Sequence, residues 1–241
     1  MNTLDLLIII VVAALIHASF QLSVSMLTLL GAHTIGSKRS QIRLVALTNS
    51  FTFGAAVMTM LIVSMAAFIL SRYQNEQTMT ILWIIGCGLL LGLGMAVWGF
   101  YYRKEQGTTL WLPRPLARYL SDRTKATKQT GEAFGLGLSS VIAELIFITA
   151  PVFIAALALI KLPTEWQPVG VLAYTFVSLL SLLVINGLIG SGHRISRIQR
   201  WREDNKRFLQ FIAGSGLVAL GFYIYVDQVL TPSVLALSGG L

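Results

Sequence analysis

Gly135-Leu-Gly-Leu-Ser-Ser-Val-Ile-Ala-Glu144-Leu-Ile-Phe-Ile-Thr-Ala-Pro151 decides how this chain is read, because it sets one carboxylate in the middle of a long apolar run. An ionised carboxylate at the centre of a bilayer costs at least about 2.5–3.5 kcal/mol on insertion scales, so a chain that keeps one gives it a protein or water partner. Glu144 is therefore the first functional candidate. Working outward, five further segments approach the roughly 20 apolar residues that a spanning helix needs. With the quoted run extended to Ala133–Ile160, the six are Leu4–Leu30, Leu44–Leu70, Met79–Tyr102, Ala133–Ile160, Val169–Ile189 and Phe208–Val226. They take up most of the 241 residues, of which 55 % are hydrophobic and 12 % charged, and leave no room for a separate soluble domain. The expected fold is an all-α membrane protein with six transmembrane helices.

The first segment reads as a spanning helix and not as a cleaved leader. Its opening residues, Met1-Asn-Thr-Leu-Asp5, hold no Lys or Arg, and no clear small-residue cleavage site follows. Orientation comes from the cations, since Lys and Arg in short loops are retained on the cytoplasmic side. Lys38, Arg39 and Arg43 fall between the first two segments, and seven cations from Arg103 to Lys128 between the third and fourth. Arg194, Arg197, Arg200, Arg202, Lys206 and Arg207 fall between the fifth and sixth, leaving Arg72 and Lys161 for the other connections. This distribution predicts both termini outside and three basic loops in the cytoplasm of a bacterial cell. The net charge of +8 is then a topology signal, and nucleic acid is not an expected partner.

The chain also echoes itself. Phe20-x-Leu22-x-Val24-Ser25 returns as Phe134-x-Leu136-x-Leu138-Ser139, and Gly86-x-Gly88-Leu89 as Gly214-x-Gly216-Leu217. The echoes divide it into a first three-helix repeat at 1–102, a basic cytoplasmic loop at 103–131 and a second three-helix repeat at 132–241. Three helices is an odd number, so the second copy enters the membrane from the opposite face. Such a 3+3 inverted repeat has two related conformations around a site near the midplane.

The 3+3 layout, the glycine-rich third and sixth segments, and Trp201-Arg-Glu-Asp-Asn-Lys-Arg207 leading into Phe211-Ile-Ala-Gly-Ser-Gly-Leu-Val-Ala-Leu-Gly221 resemble the lysine-exporter (LysE) superfamily, to which the CcdA and DsbD electron carriers also belong. The resemblance covers nearly the whole chain and is one of pattern and spacing. It implies a membrane transporter. The departures limit the chemistry that follows from it. CcdA-type carriers use a cysteine in each of the first and fourth helices, whereas the one cysteine here, Cys87, is in the third, and dithiol exchange needs two sulfurs within reach. The Gly-Pro-Gln-Asn and Asn-Pro motifs of LysE-type exporters are absent, Pro151 alone remains as a helix breaker, and Asn49 stands where those exporters carry an acidic residue. The substrate of that family is not carried over.

Polar residues within the apolar runs supply the candidate site for a solute or ion: Glu144, His17, Gln21, Asn49, Ser140, Pro151 and Asn186. His17 and Glu144 lie about halfway along their segments, on the two helices that the repeat relates. In a dry site a carboxylate and an imidazole perturb each other's proton affinity and can couple solute movement to proton movement. The alternative role for His17 is to hydrogen-bond a neighbour and pack helices. Pro151 follows Glu144 by seven residues, on nearly the same helix face. It opens the carbonyl of Phe147, which makes either a broken-helix site or an ordinary kink.

Gly88-Leu-Leu-Leu-Gly92 has the spacing of a helix-packing face, within the subunit or in a homodimer. In the basic loop, Leu112, Leu116, Tyr119 and Leu120 fall at helical spacing among Arg114, Arg118, Arg123, Lys125 and Lys128. That pattern suits an anionic leaflet surface, with a cytosolic protein as the rival partner. There is no metal-ligand cluster, phosphate-binding glycine loop or nucleophile elbow, so neither an enzyme nor a cofactor is expected. The expected function is secondary transport or export of a small solute or ion across the cytoplasmic membrane, proton-coupled through Glu144. The alternative is a non-transporting assembly, immunity or scaffold protein that binds another membrane protein.

Overall fold

The structure, a computed structural model, describes residues 2–20, 24–27, 30, 38–73, 75–100, 119–120, 122–124, 126–191 and 195–231. Among these the secondary structure is entirely helical. A chain in lipid must satisfy every backbone N–H and C=O internally, and a helix does so within one segment. The principal helices are α1 (Thr3–Ser19), α2 (Lys38–Leu70), α3 (Glu76–Phe100), α4 (Thr130–Lys161), α5 (Gln167–Ser178), α6 (Leu180–Gly190), α7 (Ile195–Asp204) and α8 (Lys206–Ile224). A π-helical turn, Tyr225–Leu230, extends α8.

Polar residues in the flanks start the helices. Asn2 Oδ1 accepts from the Asp5 N–H at 2.9 Å and Asp5 Oδ2 accepts from the Asn2 N–H at 3.0 Å, a reciprocal cap on α1. Asn75 Oδ1 accepts from the Thr78 N–H at 2.7 Å ahead of α3. Glu132 folds back onto the Lys128 and Gln129 N–H groups at 2.8 and 3.2 Å and seals the start of α4.

Four helical stretches are long and apolar enough to cross a membrane: Ile42–Leu70, Glu76–Phe100, Thr130–Lys161 and Lys206–Leu230. α5 and α6 make a fifth if taken as one span, bent by 52° at their junction. α1, at 17 residues, is apolar but shorter. The chain is thus an all-helical protein with four to five apolar helices of spanning length, built for a multi-pass membrane position. Large apolar side chains face outward, including Met65, Phe68, Ile81, Met95, Phe176, Phe211 and Phe222. Lipid, not water, is the solvent that such a surface suits.

α4 is the axis of the bundle. Of its most apolar stretch 72 % is buried, against 28–33 % in the other three. It lies directly on α2 through glycines at which the two backbones touch. A Cβ added to Gly137 would stand 2.1 Å from the Phe51 carbonyl oxygen, and one on Gly54 would stand 2.2 Å from that of Phe134. Small residues permit such close approach, which drives helix association where lipid offers no hydrophobic gain. α3 and α8 pair separately. Trp98 Nε1 donates to the Phe211 carbonyl at 3.2 Å, their rings stack at 6.2 Å, and Gln210 Nε2 donates to the Val97 and Trp98 carbonyls at 2.7 Å. Gly94 and Gly214 meet in this contact, whereas Gly88 and Gly92 are exposed with open space where a Cβ would stand. The packing glycines of α3 are therefore on a different face from the Gly88–Gly92 spacing.

Two of the expected spans are broken: the fifth bends by 52° between α5 and α6, and the first stops short. The first apolar segment does not run unbroken to Leu30: α1 ends at Ser19, Phe20 is extended at φ −76° and ψ 146°, and residues 24–27 are helical again. Ser19 Oγ donates to the Ile16 carbonyl at 2.6 Å, and the Phe20 N–H turns back to the His17 carbonyl at 3.0 Å. Such a serine competes with the backbone ladder for its acceptors. Conversely, α4 runs unbroken through Pro151, which is buried within it. One missing N–H is absorbed there by a helix clamped along most of its length. The breaks therefore fall at the end of α1 and between α5 and α6, not in α4.

Candidate functional site

Both breaks open onto one small buried cavity beside Glu144. Its lining comes from the end of α1 (His17, Ala18), Phe20 and Val24, then Thr59 of α2, Val141 and Glu144 of α4, and Ser178, Leu179, Ser181 and Leu182 around the α5–α6 junction. About 20 Å³ of it is open to the centre of a water-sized sphere, which is room for one water molecule or one ion of that size. Glu144 is 3 % exposed and His17 5 %.

Local sequence explains each wall. At the end of α1 the last carbonyls lack their i+4 partners. Ser181 Oγ supplies one by donating to the Ala18 carbonyl at 2.6 Å, which ties the start of α6 to the broken end of α1. At the other break, Ser178 Oγ donates to the Thr175 carbonyl at 3.0 Å and Thr175 Oγ1 to the Val171 carbonyl at 2.8 Å. Two consecutive hydroxyl-to-backbone bonds of this kind accompany the bend at Leu179. His17 is anchored from the side: its Nδ1 stands 3.0 Å from the Tyr174 hydroxyl, with the two rings 5.8 Å apart. Phe20 stacks on Phe147 at 5.8 Å and packs the turn against α4.

α1 brings the negative end of its dipole to the cavity, and Glu144 adds a carboxylate. Among the described lining residues there is no Lys or Arg. Thr59 is 1 % exposed, and its Oγ1 is buried without a hydrogen-bond partner.

Of the seven residues expected to form the site, the structure brings Glu144 and His17 to the same cavity. Ser140 is fully buried one turn below Glu144, but its hydroxyl goes to the Gly137 carbonyl at 2.7 Å and it does not line the space. Asn49 and Asn186 do meet, Asn186 Nδ2 donating to Asn49 Oδ1 at 2.7 Å across α2 and α6. They form a pair of their own outside the cavity lining. Pro151 is also outside it, and Gln21 lies outside the described residues.

Sequence reasoning missed Thr59 and Tyr174. Thr59 stands alone among apolar residues and Tyr174 sits beside Thr175, and their depth relative to Glu144 was the available signal. Arg202, one of the cations assigned to a cytoplasmic loop, is 2 % exposed and donates to Ser25 Oγ at 2.9 Å. A second cavity, about 310 Å³, lies at the start of α4 among Tyr119, Arg123, Thr127, Glu132, Gly135 and Ser139. Ser139 is five residues from Glu144, or about 7.5 Å along the helix axis. Of the amphipathic loop pattern, Leu120 is buried and Tyr119 exposed, while Leu112, Arg114, Leu116 and Arg118 lie outside the described residues. Among the described residues no group of three or more His, Cys, Asp or Glu could hold a metal ion.

No known protein family, curated protein or solved structure matches the chain.

Proposed function

We propose that the protein is a secondary transporter or exporter of a small solute or ion in a bacterial cytoplasmic membrane, working through Glu144. Its six segments act as a 3+3 inverted repeat of the LysE-superfamily kind, with both termini outside. One observation carries this reading: an acidic side chain on the central helix shares a small cavity with two helix breaks. Discontinuous helices that end at mid-membrane are a recurrent way to hold and release an ion or solute.

The larger cavity at the start of α4 supports an approach route. It borders Arg123 and ends a short distance along the same helix from Glu144. The cavity at Glu144 fits one water-sized species. A larger solute enters only when the α5–α6 bend moves away from α1, and the Ser181–Ala18 and His17–Tyr174 bonds are contacts to be broken there.

The test is transport by purified protein in sealed vesicles, with candidate solutes taken from an untargeted comparison of metabolites inside and outside cells that have or lack the protein. Accumulation that depends on the protein and is abolished by Glu144→Gln supports the reading. Glu144→Gln protein that inserts, folds and transports normally overturns it, as does wild-type protein that changes no solute distribution.

A further inference from the structure

We propose that the larger cavity, at the start of α4, seats the head group of one ethanolamine phospholipid, with its phosphate on Arg123 and its ammonium toward Glu132. This lipid site goes beyond the transport reading and stands without it.

Two helix faces make the cavity. The described residues from 119 to 126 are helical, and Tyr119, Arg123 and Thr127 follow one another at i, i+4 and i+8. Glu132, Gly135 and Ser139 of α4 line the same space at i, i+3 and i+7. A Cβ added to Gly135 would meet nothing within 4 Å, so the space reaches the α4 backbone there. Its volume of about 310 Å³ lies within the range of small-ligand sites.

The charges suit a zwitterion. The Arg123 guanidinium acts electrostatically on the Glu132 carboxylate, yet among the described residues no ion pair joins the two. Glu132 Oε2 accepts from the Lys128 and Gln129 N–H groups, which leaves Oε1 to accept from a ligand. Thr127 Oγ1 gives its proton to the Arg123 carbonyl at 2.7 Å and Ser139 Oγ gives its proton to the Gly135 carbonyl at 2.9 Å, so both hydroxyls have only lone pairs left. These acceptors match an ammonium with three N–H donors, and the exposed guanidinium fork matches a phosphate.

The apolar surface beside the cavity selects a lipid over a free solute. Ile142 and Ile146, three and seven residues after Ser139, are 49 % and 59 % exposed, although α4 is the most buried of the four long spans. They continue the face of Glu132, Gly135 and Ser139 toward the middle of the membrane, to about 16 Å along the axis from Gly135. A polar cavity at the end of a span with an apolar track leading from it matches a head group and its acyl chains, and basic pockets between membrane helices bind head groups. In the proposed orientation the lipid belongs to the cytoplasmic leaflet and borders the approach route to Glu144.

The experiment is native mass spectrometry of the purified full-length protein in detergent, titrated with phosphatidylethanolamine, phosphatidylcholine or phosphatidylglycerol of identical acyl chains. One copy of phosphatidylethanolamine is expected to bind saturably, at least about tenfold more tightly than phosphatidylcholine, whose nitrogen has no N–H, or phosphatidylglycerol, which has no ammonium. Glu132→Gln is expected to lose that preference, and Arg123→Gln to weaken binding of all three lipids. Gly135→Phe, whose Cβ meets no other group within 4 Å, is expected to fill the cavity and abolish the tight copy. Equal binding of the three lipids, an unchanged preference in Glu132→Gln, or undiminished tight binding in Arg123→Gln or Gly135→Phe overturns the site. Where Gly135→Phe fails to fold, Arg123→Gln at an exposed position decides in its place. Displacement of the bound lipid by free O-phosphoethanolamine would make this a site for a soluble zwitterion and overturn the lipid assignment.

Discussion

Nδ1 of His17 stands 3.0 Å from the hydroxyl of Tyr174, 157 positions away in the chain, and this contact fixes the broken end of α1 against α5. Whichever partner carries the proton, the bond is fully buried, so removing one side strands the other. Tyr174→Phe is expected to destabilise the protein by about 1–3 kcal/mol, read as a lower unfolding midpoint. A double-mutant cycle with His17→Ala should give a coupling of about 0.5–3 kcal/mol. Additive effects would mean that the two side chains merely pack side by side.

His17→Ala is also expected to change how transport depends on pH more than it changes the maximal rate. The imidazole lines the same cavity as Glu144, and a coupled group mainly sets when its neighbour holds a proton. The measurement is initial rate in vesicles across a pH series. An unchanged profile assigns His17 to helix packing alone.

Glu144→Gln is expected to abolish transport while the protein still inserts and folds. Neutralising the carboxylate relieves an insertion cost of roughly 2.5–3.5 kcal/mol, so stability should hold or rise. Loss of the folded protein on size-exclusion chromatography would make Glu144 a structural residue.

Gly137→Ala and Gly92→Ala should behave oppositely. The first places a methyl 2.1 Å from the Phe51 carbonyl oxygen and must force α2 and α4 apart, whereas the second meets nothing within 4 Å. Gly137→Ala is expected to lower stability by about 1–3 kcal/mol or more, and Gly92→Ala to be neutral or stabilising by up to about 1 kcal/mol. Loss of stability in Gly92→Ala would place a partner on that exposed face.

Cys87, the single cysteine of the chain, is buried, so the wild type is a silent background for labelling. A cysteine at Thr164 is expected to react with a membrane-impermeant thiol reagent in intact cells, and one at Thr127 or Asn205 to react only after lysis. Arg43 donates to the Lys128 carbonyl at 2.9 Å, which joins two of the basic clusters at one end of the bundle, and Lys161 Nζ donates to Gln228 Oε1 at 2.8 Å. Labelling of Thr127→Cys from outside would invert the orientation derived from the cations.

The sequence by itself determined that the chain is helical and built for lipid, because run length and hydropathy are local properties that no tertiary contact has to supply. It also singled out Glu144, since a carboxylate within an apolar run is anomalous wherever the helix packs. Where the helices break was decided only in three dimensions. Pro151 is the strongest breaker in the sequence, yet α4 is continuous through it, clamped by α2 at Gly54 and Gly137. Ser19 and Ser178 are ordinary residues in sequence, but the chain breaks beside them, where hydroxyl-to-backbone bonds and the Ser181–Ala18 contact meet the freed acceptors. Thr59 was passed over for the same reason. Whether a hydroxyl in an apolar helix bonds its own backbone or is buried without a partner depends on the neighbour opposite, and only the packed bundle sets that neighbour.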